Sequence, residues 1–193
     1  MSAADRRRPA LAAGAEILLR ILLRVVGRIN AAVAAVVTVL SAAIVAVIML
    51  ALFSSAATRY VTGTGYDWLV ELPPMLIPWL VFPLLGQLLR QGAHIRVDVL
   101  PAMLKPRGRA MLRLLCNVVA LAAAAVFMIA GVEAVALFRA LGQVAELEVE
   151  FPIWYMYLAF PVGFVVFASF ALELILRDLV EVFLKPAGPP PSS

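Results

Sequence analysis

Four stretches of this chain carry no Asp, Glu, Lys or Arg: Asn30–Thr58, Leu72–Leu89, Leu114–Val132 and Phe151–Leu172. An α-helix rises about 1.5 Å per residue, so roughly 20 apolar residues cross about 30 Å of hydrocarbon. Runs of 29, 18, 19 and 22 residues therefore predict an all-α integral membrane fold with four transmembrane helices. The expected spans are about 30–55, 69–89, 112–134 and 151–173. The second run holds Pro73, Pro74, Pro78 and Pro83. Proline removes a backbone donor and bends a helix, which lipid tolerates only where neighbouring groups satisfy the freed carbonyls. This span is expected to be kinked and packed against protein, with a re-entrant segment as the alternative.

The segment before the first span has a different period. Glu16, Arg20, Arg24 and Arg28 recur every four residues, while Ile17, Leu18, Ile21, Leu22, Val25 and Ile29 cover the opposite face. That pattern predicts an N-terminal amphipathic interfacial helix lying in the membrane surface. A straight cytoplasmic extension of span one is the alternative. The organisation expected is a cytoplasmic N-terminal segment over 1–29, a four-helix membrane domain over 30–177 and a cytoplasmic tail over 178–193. The tail's closing PAGPPPSS cannot sustain a helix and is expected to be disordered.

Composition removes whole classes of function. Of the 193 residues, 64% are hydrophobic and 15% charged, which excludes a soluble globular domain and also disorder. The placement of charge says more than the net +4. Fourteen of the 16 basic residues lie in the N-terminal segment, the second connection and the tail, leaving Arg59 and Arg139 in the first and third connections. Basic residues flanking spans stay in the cytoplasm, so both termini are expected there, in a bacterial inner membrane. Tyr60, Tyr66, Trp68, Trp154, Tyr155 and Tyr157 all fall at the expected outer ends, where amphipathic rings settle. A cleavable signal is not expected, because the first apolar run is twice the usual length.

Little of the chain suggests chemistry. One cysteine, Cys116, and one histidine, His94, give no disulfide, no metal set and no paired haem ligands. There is no P-loop and no nucleophile elbow. No catalytic, cofactor-binding or metal-binding residue is assigned, and the chain is not expected to be an enzyme or to bind nucleic acid. The polar residues that stand out lie between Tyr66 and Leu100. Glu71 sits at the outer end of span two. Trp79 lies mid-span, where its indole N–H needs a partner, and packing against another subunit is the expected use. Gly86 permits close backbone approach. Arg90, His94 and Asp98 follow at the cytoplasmic boundary. Glu133 and Glu173 lie just past the third and fourth charge-free runs and read as solvated boundary charges.

The run from Trp68 to Leu100 resembles the small membrane subunit (DctQ-like) of tripartite ATP-independent periplasmic (TRAP) transporters. The resemblance rests on the carboxylate in WLVELP, Trp79, Gly86 and the pattern Arg90, His94-Ile95, Val97-Asp98 and Leu100. Pro152 with its aromatics and Pro161-Val162-Gly163 extend it, over roughly Asn30 to Arg177. It implies a role without an active site. Such a subunit pairs with a large TRAP permease subunit, which holds the substrate and ion sites. A periplasmic substrate-binding protein delivers an organic acid, a carboxylate, for ion-coupled uptake by symport. On this reading Glu71, Trp79, Gly86, Arg90, His94 and Asp98 hold the subunit together or join it to the permease. Glu146, Glu148 and Glu150 are candidates for docking the binding protein, and membrane lipid surrounds the rest. Ala31, Ala34, Ala35, Ala42 and Ala43 and the region 120–125 are expected to supply close-approach faces. The competing reading is a membrane-anchor or assembly subunit of a redox complex, with its cofactor ligands supplied elsewhere.

Overall fold

The computed structural model describes residues 3–91, 106–145 and 150–184. Helix α1 runs unbroken over Ala3–Thr62, about 90 Å at the helical rise. The amphipathic segment is helical, as its periodicity requires. No break separates it from the first span, so the two expected helices are one element. Gly63, at φ +76°, ends it, its N–H donating to the Arg59 carbonyl at 3.1 Å. A left-handed residue after a last turn is the common glycine cap.

Helix α2 spans Asp67–Gln91 and absorbs all four prolines without interruption. At 25 residues it is long enough to cross a bilayer. Pro73 and Pro83 are buried against neighbouring helices. Helix α3 spans Pro106–Leu141 and ends at Gly142, at φ +60°. A two-residue antiparallel bridge follows, β1 (Val144–Ala145) with β2 (Phe151–Pro152), in which Val144 faces Pro152. Helix α4 then runs over Trp154–Leu184. All four helices are long and apolar enough to span a membrane.

Side-chain pairs fix their directions. Thr38 meets Gln87 and Arg59 approaches Asp67, so α1 and α2 are antiparallel. Trp79 meets Tyr155 and Arg90 meets Glu173, so α2 and α4 run the same way. Phe138 stacks on Tyr157 and Arg113 pairs with Asp178, so α3 opposes α4. The beginning of α1 and the finish of α4 therefore share one end of the bundle, the terminal end. The connection from α1 to α2 and the β-bridge share the other, the bridge end.

Helix α4 is the centre. It packs on α3, α2 and α1, and Ala159, Phe170, Ala171 and Glu173 on it are buried. The inward face of α1 carries Asn30, Val37, Ser41, Ile44, Ala51 and Ser55, all buried, with Ala34 and Ile48 half-buried between them. That sequence alternates steps of three and four, the spacing by which helices interlock at a shallow crossing. Helix α3 repeats it with Ala110, Leu114, Asn117, Leu121, Ala124, Met128 and Gly131 turned inward. Of the expected close-approach alanines, Ala34 is half-buried within the bundle and Ala31, Ala35, Ala42 and Ala43 face outward. Of the region 120–125, Ala124 is buried while Ala122, Ala123 and Ala125 are exposed.

Candidate functional site

At the terminal end, α4 presents Ser169, Glu173 and Arg177 at four-residue spacing, which stacks them on one helical face. Glu173 is fully buried, as is Asn30 of α1. The Asn30 amide donates to Glu173 Oε2 at 2.8 Å and to the Ser169 carbonyl at 3.0 Å. The Ser169 hydroxyl donates back to the Asn30 side-chain oxygen Oδ1. Glu173 Oε1 takes a guanidinium contact from Arg177 and lies 3.8 Å from Arg90 of α2. Arg90 also lies over the Phe170 ring, 5.7 Å from its centroid. Gly27 of α1 lies beside this carboxylate, where a Cβ would make ordinary contact at 3.6 Å. One carboxylate thus ties three helices together. Glu173 was expected to be a solvated boundary charge; it is instead enclosed and paired. Charges withdrawn from water persist only with such partners.

A second cluster lies further toward the same end. Asp178, 6% exposed, accepts from Arg113 Nε at 3.2 Å and from the Asn117 amide at 2.7 Å. Arg113 also donates to Glu181 at 2.5 Å. This set fastens α3 to α4 as the first fastens α1 and α2 to it. Asn30, Ser169, Asn117 and Asp178 were not singled out from the sequence. The four-residue rhythm of Ser169, Glu173, Arg177 and Glu181 was the signal available for the α4 side.

Between the clusters and the bridge end the contacts are steric. A Cβ on Gly86 would stand 2.7 Å from Phe170 Cδ2 and 2.9 Å from Phe167 Cα. One on Gly163 would stand 2.6 Å from the Phe82 carbonyl carbon. Each of α2 and α4 therefore places a glycine beneath a phenylalanine of the other. A Cβ on Gly131 of α3 would stand 3.1 Å from Pro161 Cδ, a third close crossing. Phe82, Phe160, Phe164 and Phe127 fill the space between, with ring centroids 3.8 Å apart for Phe82 and Phe160 and 5.1 Å for Phe127 and Phe164.

The Trp79 indole finds its partner within the chain, donating to the Tyr155 carbonyl at 3.2 Å. The ring itself stays half-buried, which leaves part of it open to a neighbouring subunit as expected from the sequence. Near the bridge end Arg59 sits 3.8 Å from Asp67, and Arg139 lies over the Trp154 ring at 5.5 Å. Glu71 is half-buried and Glu150 exposed. His94, Asp98, Glu146 and Glu148, like the tail from residue 185, lie outside the described residues. Trp79, Gly86 and Arg90 are all engaged with α4.

The arrangement can hold helices together, and no part of it resembles a reaction centre. Among the described residues no group of three His, Cys, Asp or Glu side chains is placed to hold a metal. No buried side-chain nitrogen or oxygen there lacks a hydrogen-bond partner. Residues 48–181 match the model of the family described as tripartite ATP-independent periplasmic transporters, DctQ component. A comparison with curated proteins finds no match.

Proposed function

The chain belongs to the DctQ component family of tripartite ATP-independent periplasmic transporters, and from that premise we propose that it scaffolds the large permease subunit. In this role it enlarges the permease's fixed framework and offers a docking surface for the periplasmic binding protein. The transporter takes up an organic acid, a carboxylate, coupled to an ion, by symport. The observation that supports the scaffold role is the disposal of polar groups. The buried Asn30, Glu173 and Asp178 are each engaged with partners inside the bundle, tying α4 to its neighbours. An ion path needs a line of available polar groups across the span, whereas a scaffold needs rigidity and apolar outer faces. Such faces are present on α1, where Val39 is 70% and Phe53 72% exposed.

Orientation follows from charge. Arg20, Arg24, Arg28, Arg90, Arg109, Arg113 and Arg177 lie toward the terminal end, against Arg59 and Arg139 toward the bridge end. By the positive-inside bias the terminal end is cytoplasmic in the bacterial inner membrane. The connection holding Glu150, with Glu146 and Glu148, then faces the binding protein.

The test is co-expression of the tagged chain with a large TRAP permease subunit from the same organism. Co-purification, and carboxylate uptake that requires both chains and the binding protein, are expected. Uptake that survives deletion of this chain would defeat the proposal.

A further inference from the structure

The four charge-free runs stop at nearly one level at the terminal end of the bundle. Asn30 opens the first run, Arg90 follows the second and Glu173 follows the fourth. These three side chains meet, with Asn30 and Arg90 both on the Glu173 carboxylate. Arg113, which precedes the third run, pairs with Asp178, five residues or about 7.5 Å further along α4. Charges from three helices gather in this layer beside Asn30 of α1, and ionisable groups are costly inside hydrocarbon. The layer therefore marks where the hydrocarbon stops. Residues 17–29 of α1 lie beyond it, a length of about 20 Å.

Within the span an outward apolar side chain meets lipid and needs no other cover; beyond the layer it does. Leu18, Leu22, Val25 and Ile29 are each 44–59% exposed. They follow one another at steps of four, three and four, and the same rhythm leads through Ala32 to Val36 and Val39, exposed on the span itself. Because α1 is unbroken, both parts of this strip share one side of the helix. A lean of the segment toward that side turns the strip down onto the leaflet. Arg20, Arg24 and Arg28 are exposed along the same segment, one per turn. Gly27 stands three residues before the Asn30 anchor, and its glycine answers neither to a positive φ nor to a close approach, since a Cβ there would make ordinary contact. Glycine lowers the cost of bending a helix.

We propose that residues 17–29 bind the anionic phospholipid surface of the leaflet at the terminal end, with Leu18, Leu22, Val25 and Ile29 set into it. The inference goes beyond the scaffold reading and does not depend on it. Held straight into water, the segment would leave a row of large aliphatic side chains uncovered. A parallel second copy would set arginines against arginines, and a protein helix would have to bring a carboxylate to each of three successive turns. Acidic lipid supplies both halves at once: acyl chains for the strip and phosphates for the arginines, whose long stems reach the headgroup level. Each basic residue held near such a surface adds to the attraction. The Asn30–Glu173 bond fixes the rotation of α1, so the face that meets the leaflet is set by the bundle.

The experiment places the full chain, carrying Cys116→Ser and Leu22→Cys, in lipid nanodiscs and follows labelling of the new thiol by a membrane-impermeant maleimide. Discs of phosphatidylcholine alone are compared with discs that also contain phosphatidylglycerol. Labelling is expected to be slower by about tenfold or more in the acidic discs. Replacing Arg20, Arg24 and Arg28 by Gln is expected to restore fast labelling there. The comparison of the two lipids needs no change to the arginines, so it decides the matter if the triple variant fails to fold. Fast labelling in acidic discs overturns the proposal, as does protection that is indifferent to lipid charge. Protection that appears only when the large permease subunit is added also overturns it and assigns the strip to a protein contact.

Discussion

The Asn30 amide donates a 2.8 Å hydrogen bond to the Glu173 carboxylate across 143 residues of sequence, and both side chains are fully buried. It joins the first span to the last at the point where α1 leaves the bundle. Beyond it, about 40 Å of α1 extends with Ile17, Leu18, Ile21 and Leu22 exposed. The contact thus fixes where the amphipathic part of α1 starts and in what rotation it emerges.

Removing the carboxylate should therefore cost more than any single contact suggests. Glu173→Ala leaves Asn30, Arg90 and Arg177 without their shared acceptor. Breaking a buried pair from one side costs about 3–5 kcal/mol. The expected result is a large loss of thermal stability for the purified subunit in detergent. Asn30→Ala should cost less, and the double variant should show a coupling of about 1–2 kcal/mol. Strict additivity of the two would show that the hydrogen bond contributes nothing.

The glycines beneath Phe82, Phe167 and Phe170 predict an effect of size rather than charge. Gly86→Ala meets a movable ring edge at 2.7 Å but also the Phe167 Cα at 2.9 Å, which is backbone. Overpacking of this kind costs about 1–3 kcal/mol. Gly86→Val should be worse, and Gly163→Ala should resemble Gly86→Ala because the obstruction is again backbone. The loss should appear in the melting of the small subunit alone. An effect seen only when the permease is present would place Gly86 at the subunit boundary instead.

The four spans were legible in the sequence because charge-free length is a property of each helix alone. The inward faces were not. In water, burial would select the apolar face; in lipid, the outward face is at least as apolar as the inward one. Here Asn30, Ser41 and Ser55 point inward while Val39 and Phe53 point outward. Small residues do not decide the inward face for the same reason, since Ala31 and Ala35 are as suited to one side as the other. Glu173 misled differently. It ends a charge-free run, but α4 continues for 11 residues beyond it, so the run's end is not the helix's exit from its neighbours.

Trp79→Phe isolates the indole N–H. The ring's bulk is largely kept while the 3.2 Å bond to the Tyr155 carbonyl is lost. A typical net hydrogen-bond contribution is about 1 kcal/mol, so a modest drop in melting temperature is expected. Trp79→Ala removes the packing as well and should cost about 3–5 kcal/mol. Equal losses in the two variants would show that packing contributes little at this position.

The last prediction concerns orientation, which the parallel course of α2 and α4 makes unusually strict. Because α1 opposes α2 and α3 opposes α4, one connection assigned to a side assigns every other. Reporter fusions after Thr64 and Val144 should both read periplasmic, and fusions after Ala102 and Ser193 both cytoplasmic. On the proposed orientation the basic residues at the terminal end keep that side inward by the positive-inside bias. Replacing Arg109 and Arg113 together should weaken the retention of the second connection, and Arg113→Ala alone should also free Asp178 and Glu181 from their shared guanidinium. A stability loss with Arg113→Ala, but not with Arg109→Ala, would separate the structural role of Arg113 from its part in orientation. A cytoplasmic signal after Thr64 would reverse the whole bundle and move the acidic third connection away from the binding protein.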